Sequence, residues 1–285
     1  MALAERTGGV IVNADSAQLY RDLPVLSAAP SADDLAGAEH RLYGIRDGAD
    51  PCSAADWAGL ARAEIESIHA ARRLPILVGG TGLYMRTLIE GIAPVPPIDP
   101  LVRRLIRETD VADNRRELEE VDAEAAHRLN PSDTTRIARA LEVVKSTGLT
   151  LREWQADRQG GIGEKIDLRA LVLLPPRDWL YARCNERFAS MVEQGAVEEV
   201  KQLLDRKLGP DLPVMRAIGV REIESFLGGK ISRDEAITAG QQATRNYAKR
   251  QYTWFAHQPP EEWPRWTEPL SDNLEPALEV LGARP

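Results

Sequence analysis

Apolar and polar positions change period several times along the chain, and each change marks an element. Gly9-Val10-Ile11-Val12 is a short unbroken apolar run followed by the polar stretch Asp15-Ser16-Ala17-Gln18, the pattern of a buried strand feeding a polar turn. Ahead of it, Met1 to Arg6 reads as the last turns of a helix closed by Gly8-Gly9. Ser53-Ala54-Ala55-Asp56 is a capping-box variant with Asp where Glu or Gln is usual. It opens a helix whose residues Trp57, Leu60, Ala61, Ile65 and Ile68 share one stripe. Arg72-Arg73 then suits that helix's negative pole. Leu74-Pro75-Ile76-Leu77-Val78 predicts a buried parallel strand with Pro75 at its start. Gly79-Gly80-Thr81-Gly82 follows and opens another helix. Strand, helix, strand, Gly-rich turn and helix is the βαβ signature of a parallel sheet.

Beyond this point the pattern becomes helical. Gly91 to Pro100 is Pro-rich and reads as a hinge or linker. Asp99-Pro100 starts a charged helical region that continues to about Gly160-Gly161. Leu168 to Leu174 predicts a return to a core strand, so the segment between is expected to be a helical insertion into an α/β domain. Asp178, after Pro175-Pro176, is expected to cap a helix through Met191 that stops near Gly195. A further capping box from Ser232 to Glu235 starts a long helix reaching about Phe255. The expected domains are therefore 1–98 and 164–256 for the α/β core, 99–163 for the insertion and 257–285 for an acidic tail whose structure the pattern leaves open. No internal repeat is visible.

Charge changes the picture only when its distribution is considered. The chain of 285 residues has a formal net charge of −8, which taken evenly would argue against nucleic acid. The segment from Ala236 to Phe255, however, contains Arg245, Lys249 and Arg250 and no acidic residue. Phosphate binding follows local potential, so an acidic total does not exclude a basic groove. No apolar run approaches a membrane span, and Met1-Ala2-Leu3-Ala4-Glu5-Arg6 lacks the features of a secretory leader. Cys52 and Cys184 are isolated and read as free thiols of a reducing cytoplasm. The histidines His40, His69, His127 and His257 do not cluster, which argues against a zinc site.

Several groups could carry chemistry. Asp15 is the one charged residue of Asp15-Ser16-Ala17-Gln18-Leu19-Tyr20, at the carboxyl edge of a strand where α/β sheets bind ligands. It reads either as an acceptor or base for a polar substrate group or as a helix cap. Gly79-Gly80-Thr81-Gly82 puts backbone N–H groups and a hydroxyl at a positive helix end, an arrangement that suits a phosphate but also occurs in plain turns. Gly228-Gly229-Lys230 lacks Walker A spacing and reads as a turn. Arg136 and Arg139 share a helix face, with Ile137, Leu141 and Val144 toward the core. Arg216 and Arg221 flank a helix start where a guanidinium could clamp an anion. On the final helix Arg245, Lys249 and Tyr252 form one stripe with Arg250 and Trp254 alongside. Basic groups interleaved with aromatics suit a nucleic acid, although Tyr247, Trp254 and Phe255 equally suit a core.

Taken in order, Asp15-Ser16-x-Gln18-x-Tyr20, Gly79-Gly80-Thr81-Gly82-Leu83-Tyr84, Arg136-Ile137-x-Arg139-Ala140-Leu141-Glu142, Arg216-x-x-Gly219-x-Arg221 and Lys249-Arg250-Gln251-x-Thr253-Trp254 resemble the tRNA dimethylallyltransferases, also called tRNA isopentenyltransferases. The resemblance covers nearly the whole chain. It implies an α/β fold with a P-loop-NTPase-like, nucleotide-binding parallel-sheet core and a helical insertion that closes over the anticodon arm. The implied reaction moves a dimethylallyl group from dimethylallyl pyrophosphate to the exocyclic amine of the adenosine 3′ of the anticodon. Mg2+ would accompany the pyrophosphate, and a cytoplasmic monomer is expected.

The same resemblance assigns roles. Asp15 would be the base, Thr81 would donate to the bridging oxygen and Arg216 would clamp the phosphates, with Gly79 and Gly80 completing the pyrophosphate site. Ser16, Ala17 and Gln18 would hold the extruded base. Arg103, Thr135, Arg136, Ile137, Ala138, Arg139, Arg221, Lys249 and Arg250 would meet the tRNA along with Asp15 and Thr81.

The chain departs from the family pattern in three places. The Gly-x-x-x-x-Gly-Lys-Ser/Thr loop that precedes the first helix in the family is not in this sequence, so no metal ligand can be identified. A start codon placed too late and a truncated form both explain this, and as written the chain would be poorly active and less stable. Ser27-Ala28-Ala29-Pro30 stands where relatives carry Gly-Thr-Ala-Lys-Pro, and Val220 replaces the usual Tyr. The rival functions are a non-catalytic RNA-binding remnant and an adenylate prenyltransferase or nucleotide kinase acting on free nucleotide.

Overall fold

In the computed structural model, residues 1–270 and 274–282 are described. Two compact units result, Met1–Leu88 together with the chain from Lys165 onward, and Ile89–Glu164.

The first unit is built on strand β1 (Val10–Asn13), buried at every position. Helix α1 (Ala2–Thr7) enters it through Gly8, whose φ of 65° closes the helix in the left-handed region. Helix α2 (Ala32–Gly37) leads to β2 (Glu39–Arg41). Helix α3 (Ala54–Ala70) carries the Ser53–Asp56 capping box in full, and its stripe of Trp57, Ala61, Ile65 and Ile68 is buried. Strand β3 (Pro75–Val78) precedes α4 (Gly82–Glu90). Both β2 and β3 run parallel to β1, in the order β2-β1-β3, with Ile11 opposite His40 on one side and Ile76 on the other. Strand β3 was expected to be buried but is only partly so, with Val78 49% exposed. Among the described residues it forms an edge of the three-stranded sheet.

The second unit is helical: α5 (Pro100–Glu108), α6 (Val111–Val121), α7 (Ala123–Arg128), α8 (Thr134–Thr147) and α9 (Leu151–Ala156). Asp99, Asp110, Asp122 and Asp133 cap the first four, each accepting a backbone N–H of the first turn. Ile106, Leu118, Ala125, Ala126, Ile137, Ala138, Ala140 and Leu141 form its core. The unit closes on itself where Ile92 and Gln159 exchange backbone hydrogen bonds, both at 3.0 Å.

The chain then returns to the first unit. Only β4 (Val172–Leu173) of the expected strand over Leu168 to Leu174 forms. It does not join the main sheet but pairs in parallel with β5 (Arg265–Trp266) of the tail. The apolar run buries alternate residues, Val172 and Leu174, and leaves Leu173 47% exposed, the behaviour of a half-buried strand. Helix α10 (Arg177–Glu193) begins at Pro176 without a side-chain cap, so Asp178 lies in the first turn rather than capping it. Helices α11 (Ala196–Asp205), α12 (Val220–Leu227) and α13 (Arg233–His257) follow, the last with the Ser232–Glu235 capping box, and α14 (Glu275–Val280) ends the described chain. Ala236, Gly240, Thr244 and Ala248 are a four-residue repeat of small buried side chains on α13. A Cβ on Gly240 would collide with the Phe188 ring of α10, which is why the two helices approach so closely. Of the acidic tail, residues 271–273 and 283–285 lie outside the described residues. Among the described residues, no helix is long and apolar enough to cross a membrane.

Candidate active site

Strand β1 delivers Asp15 through Asn13, its last residue, which is fully buried. Asn13 Oδ1 accepts the Asp15 N–H at 2.8 Å, and Nδ2 donates to the Asp15 and Leu42 carbonyls at 2.9 and 3.0 Å. The Asn13 carbonyl accepts from the Trp57 indole at 2.9 Å, tying the stripe of α3 to the floor of the site. Asp15 Oδ1 accepts the Ala17 N–H at 2.8 Å. Asp15 therefore closes an Asx-type turn and caps no helix, because α2 does not begin until Ala32. No described residue donates to Oδ2.

The Gly-rich turn has a different local reason from the one its composition suggests. A Cβ on Gly79 would overlap the Ala14 backbone, one on Gly80 the Gln251 amide, and one on Gly82 the Trp254 ring. Gln251 Nε2 donates to the Gly80 carbonyl at 2.9 Å. The glycines thus let the turn pack against β1 and α13. The Thr81 N–H goes to the Ala14 carbonyl at 3.2 Å, and its hydroxyl accepts the Ser16 N–H at 3.0 Å while lying 3.3 Å from the Ser16 hydroxyl. Gln18 Nε2 donates to the Ser27 and Ala28 carbonyls at 3.0 and 2.6 Å.

Three phenols feel the Asp15 charge. Burial first, and the Asp15 carboxylate second, push Tyr43 up to about 12. Tyr247 is raised by the same two causes in the same order. Tyr84 is raised by burial, with Asp15 a smaller contributor, and it stacks on Trp57 with ring centroids 4.7 Å apart. A cavity of about 520 Å³ adjoins these groups. Its lining joins Asp15, Ser16, Ala17, Gln18, Gly80 and Tyr247 to an apolar wall that includes Leu23, Leu26, Phe188 and Met191. Arg187, Arg216 and Arg250 belong to the same lining, the Arg216 guanidinium paired with Asp211 and that of Arg250 5.4 Å from the centre of the Tyr247 ring. The Ser27 hydroxyl, also at the cavity, is buried without a hydrogen-bond partner.

Not every expected residue faces this cavity. Gly79 and Thr81 are not among its lining residues and are engaged with Ala14 and Ser16. Arg216 does line it but also pairs with Asp211, and Arg221 is exposed on α12. On α13, Lys249 and Arg250 are exposed, but the aromatics of the expected nucleic-acid stripe are engaged in packing. Tyr252 lies under Arg177, Trp254 packs on Gly82, and Arg245 bonds Asn185 of α10. In the helical unit Thr135 and Arg136 are exposed, whereas Ile137 and Ala138 are buried, so neither of those side chains reaches the surface. Arg103 and Arg139 approach Glu142 instead. Asn13, Tyr43 and Arg187 were not anticipated. Asn13 had a local signal, a polar side chain closing an apolar run; Tyr43 and Arg187 had none.

A parallel α/β unit with a carboxylate and three arginines among the residues lining an apolar-walled cavity, at the carboxyl end of its central strand, is the arrangement of a ligand-binding α/β enzyme. The chain belongs to the IPP transferase family, whose model matches residues 18–258. It is 58% identical over 268 residues to the tRNA dimethylallyltransferase of Erythrobacter litoralis, covering 93% of this chain and 84% of that one. The corresponding protein of Sphingopyxis alaskensis is 57% identical over 279 residues, covering 96% and 91%. The crystal structure of the full-length tRNA isopentenylpyrophosphate transferase from Bacillus halodurans superposes with a TM-score of 0.69 at 32% identity, covering 99% of this chain and 88% of that one. A eukaryotic dimethylallyltransferase acting on tRNA gives a TM-score of 0.74 at 26% identity, with 88% and 64% covered.

Proposed function

We propose that this chain transfers the dimethylallyl group of dimethylallyl pyrophosphate to the N6 amine of the adenosine 3′ of the anticodon in tRNA. Relatives more than half identical to it over most of its length carry the name tRNA dimethylallyltransferase. The observation that carries the reading is Asp15: a carboxylate with one oxygen anchored by Ala17 and the other without a donor, beside a cavity with an apolar wall.

An aromatic amine is a weak nucleophile because its lone pair is delocalised into the ring. In this reading Asp15 accepts its proton as the nitrogen bonds to the allylic carbon, and the carbon–oxygen bond to pyrophosphate breaks. Arg216 takes the charge that develops on the leaving group, with Arg187 and Arg250 on the same lining. Thr81 donates to the bridging oxygen in exchange for its contact with Ser16, next to Gly79 and Gly80. The apolar wall accommodates the five-carbon tail and excludes water. Ser16, Ala17 and Gln18 hold the flipped adenine, and Arg103, Thr135, Arg136, Arg139, Arg221, Lys249 and Arg250 meet the RNA backbone.

Among the described residues no three His, Cys, Asp or Glu side chains converge on a metal position. An Mg2+ arriving with the donor would be held by the pyrophosphate oxygens and would neutralise their charge. We read the protein as a monomeric cytoplasmic enzyme.

The test supplies labelled dimethylallyl pyrophosphate with either tRNA or AMP. Label is expected in tRNA alone. Label in AMP would make the protein an adenylate prenyltransferase, and RNA binding without label in either acceptor would make it a non-catalytic binder.

A further inference from the structure

Glu142 is a carboxylate inside a helical core. It lies on α8 with its side chain 0% exposed, yet three guanidiniums converge on it. Arg107 Nε of α5 reaches Glu142 Oε1 at 2.8 Å. Arg103 Nε, one turn earlier on α5, and Arg139, one turn earlier on α8, approach Oε2 only to 3.8 and 4.0 Å. Glu142 Oε2 accordingly has no hydrogen-bond partner. The arginine side chains themselves remain 53%, 53% and 39% exposed.

Charge at this place does not balance. One buried carboxylate faces three cations, leaving two positive charges gathered at a solvent-facing cluster. Burial, and repulsion from Arg103 and Arg107, lower the Arg139 pKa against the pull of Glu142. A core serving stability alone gains little from such a group, since apolar replacements of buried ion pairs are often as stable. A buried anion does, however, give converging guanidiniums one fixed geometry, and an incoming phosphodiester would relieve the excess charge.

We propose that Glu142 is a positioning residue that sets Arg103, Arg107 and Arg139 as one grip on a phosphodiester of the RNA substrate. Arg107 belongs to this grip as fully as Arg103 and Arg139. The inference rests on the tRNA reading above.

Glu142→Gln separates positioning from simple charge. Removing a negative charge beside three arginines should tighten RNA binding if only net charge matters. If Glu142 positions the cluster, binding weakens instead, by about tenfold, although the surface has become more positive. The measurement is the Kd of an anticodon stem-loop RNA across a salt series, with thermal unfolding of each protein in parallel. Arg107→Gln should weaken binding and reduce the slope of log Kd against log salt by about one. In turnover both variants should raise KM for tRNA and leave KM for the prenyl donor unchanged. Tighter or unchanged RNA binding by folded Glu142→Gln overturns the proposal. If that variant does not fold, an unchanged slope for Arg107→Gln overturns it. Wild-type protein that ignores the RNA would remove the tRNA reading itself and the inference with it, whereas wild-type binding with unaltered variants removes only the inference.

Discussion

Asp15 sits in an environment that can be titrated through its neighbours. Tyr43, Tyr84 and Tyr247 are each held protonated by burial and, to a smaller extent, by the Asp15 charge. Asp15→Asn removes that charge, so all three phenols should ionise at lower pH, by less than burial alone has raised them. Absorbance at 295 nm through alkaline pH reads this directly, and an unchanged titration would place the carboxylate away from the rings. Linkage fixes a second sign. An unfolded tyrosine ionises near 10, while folded Tyr43 does so at about 12. The unfolded chain therefore releases this proton first, and the stability that Tyr43 contributes below about 10 is lost as pH rises toward about 12. On the proposed reading of Asp15 as the general base, its loss costs about 10²–10⁴-fold in rate. Asp15→Asn should thus reduce kcat in that range while leaving the Kd for tRNA nearly unchanged. Equal losses in both would remove Asp15 from the chemistry.

Element by element, local signals were legible and long-range ones were not. The capping boxes at Ser53 and Ser232 and the apolar run of β1 act within a few residues, and each forms where its pattern predicts. The strand expected from Leu168 to Leu174 forms over two residues only, because its partner, Arg265–Trp266, is itself two residues long, and that partner lies in the tail where no strand pattern was visible. The site divides the same way. Asp15-Ser16-Ala17-Gln18 stood out in the sequence, whereas Arg187 joins the cavity only because α10 packs on α13. The Gly-rich turn was visible, but its reason was not: Gly79 and Gly82 are required by the Ala14 backbone and the Trp254 ring, and Gly80 faces the Gln251 amide, none of them nearby in sequence. That reason makes a paired prediction. Gly82→Ala drives a methyl into the Trp254 ring and should destabilise by about 1–3 kcal/mol. Gly59→Ala, mid-helix in α3 with nothing within 4 Å of the new Cβ, should stabilise by about 0.5–1 kcal/mol. Urea unfolding of the two variants gives opposite shifts in midpoint. Shifts of the same sign would mean that the turn does not depend on close packing against α13.

At the scale of the whole molecule, the chain divides into two compact units. The unit containing β1 holds the cavity and Asp15, and the helical unit holds the arginine cluster on Glu142. The helical unit comes from one continuous stretch of chain, 89–164, closed by the paired bonds of Ile92 and Gln159. Its core, including Ile106, Leu118, Ile137 and Leu141, is drawn entirely from its own helices. Such a unit should open locally without unfolding the rest. Leu118 is fully buried at its centre, so Leu118→Ala should cost about 2–5 kcal/mol through lost burial and a residual cavity. Hydrogen exchange in the variant should then accelerate across α5, α6 and α8 while β1 and β3 keep wild-type protection. The affinity for tRNA should fall with it, because a cluster spread over α5 and α8 keeps its geometry only while those helices remain packed. Faster exchange in β1 to the same extent would show one cooperative fold in place of two, and the binding loss could then no longer be assigned to the helical unit.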